Sequence, residues 1–94
     1  MVISGTLFPL GRIVVTPGAL EALARGGQDA KFFLEKHASG DWGVLDEHDR
    51  AESDDSLAHG FRILSNYRTA AGETLWIITE ADRSSTCLLR PEDY

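Results

Sequence analysis

Residues 73–91, ETLWIITEADRSSTCLLRP, decide the fold that we predict for this chain. The run 75–79 is apolar on both faces of an extended strand, which is typical of a central strand. The run 85–90 follows a short charged turn and predicts a second strand that ends at Pro91. Residues 61–68 alternate with a period of two, and the glycine-containing turn 69–72 joins them to the central strand. Together they predict an antiparallel meander.

Short helices precede this meander. Thr16 followed by Pro17 favours a helix start, because the threonine side chain caps the first turn and proline lacks only an unneeded N–H. Gly26 and Gly27 end that helix, and an apolar stripe that includes Phe33 and His37 predicts a second helix over 29–38. Asp46 is the predicted N-cap of a third helix, which ends near residue 58. Residues 2–15 are predicted to be extended in two short pieces, with 12–15 as the true strand.

We therefore predict an α+β fold in one domain over residues 1–94. Two short helices and an acidic third helix pack on one face of an antiparallel sheet of three or four strands. Trp42 is predicted to be a hydrophobic plug between helices and sheet. The predicted core consists of Ile13, Val15, Leu20, Leu23, Phe33, Leu34, Trp42, Ile63, Leu75, Trp76, Ile77, Leu88 and Leu89.

Composition excludes several classes of protein. No apolar run reaches the roughly 20 residues of a membrane span, and the first residues lack the basic region of a signal peptide. The single cysteine, Cys87, excludes an internal disulfide, so we expect a reducing cytoplasm. We predict no cofactor, because the sequence contains no glycine-rich phosphate loop and no CxxC, HExxH or GxSxG motif.

The net charge of −6 is confined to one segment. Residues 41–55 contain seven acids and one base, Arg50, whereas the remaining eight acids and eight bases cancel. We call these seven acids the acidic surface: Asp41, Asp46, Glu47, Asp49, Glu52, Asp54 and Asp55. An acidic helix can occupy a basic groove on a partner protein, so these residues are the predicted partner-binding site, and direct nucleic-acid binding is disfavoured. The alternative is a surface that only confers solubility.

The third helix also contains candidate metal ligands. His48, Glu52, Asp55 and His59 fall on one helical face, and imidazole and carboxylate groups four residues apart can share a divalent ion. Four ligands spread along three turns cannot all reach one ion, however. We therefore predict a solvated charged face with pairs four residues apart rather than a metal site.

The meander suggests a catalytic alternative. Glu80 or Glu73 can take the proton of an RNA 2′-hydroxyl while Arg62 and Arg83 hold the phosphate, without a metal ion. The competing interpretation is that these charged residues form cross-strand ion pairs and turn contacts. Cys87 is predicted to be a small core residue rather than a nucleophile.

Longer segments of the chain resemble two groups of known proteins. The segments LGRIVVTPGALEAL (10–23), SGDWGVLDEHD (39–49) and LWIITEADRSSTCLLRPEDY (75–94) resemble small proteins of plasmids, phages and integrated elements, some labelled as plasmid-related or as restriction–modification accessories. The C-terminal WIITEADRSSTCLL (76–89) is similar to the last part of barnase-like ribonucleases and toxins. That resemblance implies an Asp-His pair in the last hairpin, but the matching positions hold Asp82 and Arg83, so the general acid is missing.

We therefore predict a non-enzymatic accessory protein of a mobile element. Its acidic surface would engage a basic, nucleic-acid-handling protein and inhibit or modify it. A metal-independent endoribonuclease of barnase-like architecture is the alternative. A homodimer that uses an edge strand is a further possibility for its partners.

Overall fold

The computed structural model describes residues 6–94, and the first of the two predicted extended pieces lies partly outside this range. The elements are β1 Arg12–Val15, α1 Pro17–Gly26, α2 Ala30–Ala38, α3 Glu47–His59, β2 Ile63–Arg68, β3 Thr74–Thr79 and β4 Ser85–Leu89. A 3₁₀ turn, Pro91–Asp93, follows the last strand. Three helices packed against a four-stranded sheet confirm the predicted α+β class.

The strands form one sheet in the order β1-β4-β3-β2. β2, β3 and β4 are antiparallel neighbours, which confirms the meander. β1 runs parallel to β4, so the prediction of a purely antiparallel sheet is wrong. Three helices and two strands lie between β1 and β4 in the sequence, so no tight turn joins them. Hairpin geometry therefore does not force β1 to run antiparallel to β4.

The caps that start the helices form as predicted. The Thr16 hydroxyl accepts a hydrogen bond from the Ala19 amide at 3.1 Å, and Asp46 caps α3 by accepting from the Asp49 amide at 2.8 Å. α1 ends at a left-handed glycine, Gly27, which adopts a φ of 62° that other residues rarely adopt. Local side-chain chemistry thus fixes where these helices begin and end.

α1 and α2 cover one face of the sheet. The main core cluster lies between them and the three C-terminal strands, and consists of Ala19, Leu23, Phe33, Tyr67, Leu75, Ile77 and Leu88. A second cluster of Phe8, Trp42 and Ile63 lies nearer to α3, which confirms that Trp42 is a buried plug. The opposite face of the sheet carries both apolar and polar side chains, and the C-terminal Tyr94 lies there against Trp76.

The predicted burial of two core residues is wrong. Leu20 is 56% exposed and Ile13 is 41% exposed. In α1 the small residues Ala19 and Ala22 are fully buried instead, because a helix that presents alanines can approach the sheet more closely. Trp76 is only half-buried, since it faces away from the helices.

Candidate functional site

α3 carries most of the acidic surface. Of its 13 residues only Ser53 is buried, and Leu57 packs partly against the second cluster. A helix that is polar on nearly every side gains little free energy from burial and needs other contacts to hold it in place. The helix is therefore displayed to solvent rather than packed into the core.

Specific polar contacts anchor this helix. The indole nitrogen of the buried Trp42 donates to the Asp54 carboxylate at 2.9 Å. The Ser53 hydroxyl donates to the backbone carbonyl of Leu64 in β2 at 3.0 Å. Both contacts come from the side of the helix that faces the protein, so they fix its position and its rotation relative to the sheet.

The seven acids divide into two groups. Asp54 holds Trp42, and Asp46 caps the helix. Asp41 accepts from the Gly43 amide at 3.1 Å and lies 3.4 Å from the ammonium of Lys36. These three acids are committed to the fold. The other four project from α3: Glu47, Asp49, Glu52 and Asp55.

The candidate metal ligands form two pairs rather than one cluster. His48 lies 3.4 Å from Glu52, and His59 lies 2.9 Å from Asp55. One donor atom each from His48, Asp49 and Glu52 falls within 4.8 Å of the others. These side chains are exposed or partly exposed, so the geometry is that of surface pairs on a charged helix, each worth only a few tenths of a kcal/mol.

The structure keeps Glu73 apart from the other three candidate catalytic residues, Glu80, Arg62 and Arg83. Glu73 lies at the hairpin between β2 and β3, at the opposite end of β3 from Glu80. Its carboxylate accepts hydrogen bonds from Nη2 and Nε of the Arg25 guanidinium at 2.7 and 2.8 Å. This hydrogen-bonded guanidinium lowers the pKa of the Glu73 carboxyl. Glu73 therefore ties α1 to the hairpin and does not meet the other three.

Arg62 and Glu80 do come together. The Arg62 Nε atom lies 3.5 Å from a Glu80 carboxylate oxygen, and Arg62 also donates to the Tyr94 hydroxyl at 3.2 Å. These residues line a shallow groove of about 190 Å³ on the face of the sheet away from the helices. Cys87 lies in the same groove, half-buried, and burial raises the pKa of its thiol.

The Arg83 side chain donates its hydrogen bonds to backbone carbonyls. Its guanidinium lies over the Phe8 ring at 5.6 Å from the centroid. It donates to the carbonyls of Phe61, Glu80, Ala81 and Ser56 at 2.7, 3.1, 3.3 and 3.2 Å. Those carbonyls belong to the turn that holds Arg83, to the last part of α3 and to the segment between α3 and β2. The side chain therefore connects α3 to the β3–β4 turn and has few donors left for a phosphate.

Asp82, the residue that matches the barnase-like aspartate, has a local role. Its carboxylate accepts from the backbone amide of Ser84 at 3.0 Å within the β3–β4 turn. Hydrogen bonds from Ser84 lower its pKa. This is the turn contact that the competing interpretation of the sequence predicts.

The sequence did not single out the buried polar network around His37. His37 is fully buried, with its Nδ1 atom 2.5 Å from the Ser65 hydroxyl and its Nε2 atom 2.8 Å from the Thr79 hydroxyl. Thr79 lies 2.7 Å from the Thr86 hydroxyl, which donates to the Leu10 carbonyl at 2.7 Å. In the described residues 6–94, every buried side-chain nitrogen or oxygen has a hydrogen-bond partner.

The direction of this network places a proton on Nε2 of His37. The Leu10 carbonyl can only accept, so Thr86 donates to it and accepts from Thr79. Thr79 must then accept from Nε2–H of His37, and in the neutral ring Nδ1 accepts from Ser65. A neutral imidazole satisfies every member. Burial, and then the positive charge of Arg83, lowers the pKa of His37 to about 4.

The sequence placed His37 in the apolar stripe of α2, four residues after the core residue Phe33, and the structure buries it there. Its partners could not be recognised in this way. Ser65 and Thr79 are 28 and 42 residues away in sequence.

No family model, no curated protein and no solved structure matches this chain. Within residues 6–94, none of the helices has both the length and the apolar character needed to cross a membrane.

Proposed function

We propose that this protein is a non-enzymatic binding protein whose acidic surface engages a basic partner protein. The observation that supports this most strongly is the display of α3: a helix with one buried residue contains most of the acids that give the chain its net charge of −6. This helix adds almost nothing to the hydrophobic core, so a contribution to folding does not explain why the protein has it. A basic groove on a partner supplies the complementary charge.

The anchoring of α3 favours binding over mere solubility. A flexible acidic segment confers solubility equally well, whereas this helix is held by Trp42, by Ser53 and by Arg83. A rigid helix presents its carboxylates at fixed spacings and loses less conformational entropy when a partner binds. Fixed negative charges along one surface also resemble the phosphates of a nucleic acid.

The partner that we propose is a protein that handles nucleic acids. A basic groove shaped for phosphates is the surface that an acidic helix of this kind fits best. The resemblance to plasmid- and phage-associated proteins adds a biological setting, in which a mobile element inhibits or modifies a host complex of this type. The protein would then act as an anti-defence inhibitor or modulator.

The first test reverses the displayed acids and spares those that support the fold. We expect the triple variant Glu47→Lys, Glu52→Lys, Asp55→Lys to bind the partner at least about 100-fold more weakly, because each reversal replaces an attraction by a repulsion of roughly 1 kcal/mol. The measurement is quantitative capture from host extract, followed by titration of the purified partner.

The matched control reverses three exposed acids outside the acidic surface: Glu21, Glu35 and Glu92. It changes the net charge by the same amount, so an effect of total charge alone would weaken both variants equally. Retained binding by the control and lost binding by the triple variant supports the proposal. Equal binding by the triple variant and the unaltered protein contradicts it.

A second candidate function rests on the contact of Arg62 with Glu80 beside Tyr94. In this proposal Glu80 takes the 2′-hydroxyl proton of RNA and Arg62 holds the phosphate. The 2′-oxygen then bonds to phosphorus, the P–O5′ bond breaks, and the leaving 5′-oxygen takes a proton from solvent. We expect the purified protein to cleave single-stranded RNA in EDTA, and Glu80→Gln to lose at least about 100-fold in rate. Arg25→Ala, which breaks the ion pair at the other end of β3, is the control. Cleavage that survives Glu80→Gln contradicts this assignment.

A further inference from the structure

The two edges of the sheet differ in whether other backbone covers them, and the edge at β2 is covered. The Val44 amide donates to the Asn66 carbonyl at 2.5 Å, and the Asn66 amide donates to the Trp42 carbonyl at 3.0 Å. Gly43 makes this approach possible, because it has a φ of 79° and any Cβ there would collide with the Asn66 carbonyl. The segment before α3 therefore protects this edge.

The edge at β1 is open within residues 6–94, where β4 is the only strand beside it. The Arg12 amide donates to the carbonyl of Ser84, just before β4, at 2.9 Å, and the Thr16 amide donates to the carbonyl of Leu88 in β4 at 3.0 Å. Because backbone groups alternate along a strand, the N–H and C=O groups of Ile13 and Val15 point away from β4. They form a row of donors and acceptors suited to pairing with another strand.

The side chains along this edge are apolar on both faces of the sheet. Ile13 and Val14 are each 41% exposed and point to opposite faces. On the helix side, Ile13 borders a groove of about 430 Å³ whose apolar lining includes Phe8, Leu10 and Leu34. Proteins usually protect an edge of this kind with lysine, proline or a covering loop. Here the single charged residue of the strand is Arg12, at its start.

We propose that β1 pairs with β1 of a second copy of this chain, antiparallel about a twofold axis through Val14. This register places Ile13 of each copy opposite Val15 of the other, so their outward groups form four hydrogen bonds. The two sheets become one sheet of eight strands. Ile13 and Val15 of each copy lie on the face that carries the groove of the other copy, where they bury apolar surface.

Charge favours a second copy as the occupant. The acidic surface lies beside β2, at the edge of the sheet farthest from β1. Pairing through β1 holds the two acidic surfaces at opposite ends of the dimer, beyond the screening length of about 8 Å at physiological salt. The groove itself is bordered by Lys31 and Glu35. A twofold axis brings charges of both signs to both sides, so the interface is self-complementary.

The test uses opposite charges at the twofold axis. We expect the unaltered protein to sediment as a dimer whose population rises with concentration, and Val14→Lys and Val14→Glu to be monomers when each is alone. Like charges directly opposite on paired strands repel, whereas opposite charges attract. An equimolar mixture of the two variants should restore the dimer. Val44→Lys, at an exposed apolar residue of the covered edge, is the control and should remain dimeric.

A cross-link provides a second measurement of the register. In a Cys87→Ser background, Val14→Cys should form a disulfide-linked dimer on oxidation, since residues opposite at the axis have Cα atoms about 4.5 Å apart. A monomeric unaltered protein, or Val14 variants that remain dimeric alone, overturns the proposal. A monomer that dimerises only when residues 2–5 are removed also overturns it, and assigns this edge to the chain's own N-terminal segment. None of these three results affects the proposed role of the acidic surface.

Discussion

Replacing Trp42 with alanine is expected to lower the free energy of unfolding by about 4 kcal/mol, because a buried aromatic residue leaves a large cavity. Trp42 is 3% exposed and lies against Phe8 and His37, with ring centroids 6.3 and 5.8 Å apart. The substitution also leaves Asp54 without its indole donor. Urea unfolding followed by circular dichroism measures the loss, and hydrogen exchange should accelerate most in α3.

Trp76→Ala is the matched control for this prediction. Trp76 is half-buried on the other face of the sheet, against Tyr94, and anchors no helix. We expect a loss of only about 1–2 kcal/mol, with no selective change in exchange along α3. Equal losses for the two tryptophans, or an unchanged exchange rate in α3 after Trp42→Ala, would show that Trp42 does not support the acidic helix.

Stability is expected to fall by about 3 kcal/mol between pH 6.5 and pH 4 through His37 alone. The folded protein holds His37 neutral, with a pKa of about 4, whereas the unfolded chain protonates it near its ordinary value of 6.5. Across this window the unfolded state binds more protons than the folded state. The free energy of unfolding therefore increases as the pH rises and decreases as the pH falls. Urea titrations at several pH values measure the slope.

His37→Gln separates this effect from the other acid-sensitive groups. Glutamine cannot gain a proton in this range, so the slope between pH 6.5 and pH 4 should flatten even though the variant is less stable at pH 7. Acid loss below pH 4 should persist, because hydrogen bonds from Arg90 and from Thr16 lower the pKa of Asp93 to about 2. An unchanged slope in His37→Gln would mean that the neutral network around His37 does not set the acid limit.

Much of the fold was predictable because its signals are local. The caps at Thr16 and Asp46 and the alternation of the C-terminal strands depend on residues within a few positions of one another. The parallel direction of β1 was not predictable, since nothing in a four-residue strand encodes the direction of a partner about 70 residues away. Leu20 was misplaced because periodicity identifies a helical face but does not show that Ala19 and Ala22 make the closest contact with the sheet.

The candidate site was predictable only as a distribution of charge. Composition shows that the net charge lies in 41–55, and the cap at Asp46 is a local signal, but the separate roles of Asp54 and Glu52 depend on what each carboxylate touches. Arg83 illustrates the same limit: its carbonyl partners at Phe61 and Ser56 come from other elements. The partners of His37 were not predictable, because a buried hydroxyl differs from an exposed one only in its distant partners.

The salt dependence of binding tests the proposed role of the acidic surface most directly. The affinity of the protein for the partner that it captures would be measured from low to high ionic strength, beside the Glu47, Glu52 and Asp55 reversal variant. We expect a basic protein to be bound tightly at low salt and released as salt rises, because exposed charges are screened. Binding that is independent of salt, or equal in the reversal variant, would contradict the proposal and leave α3 as a solubilising surface.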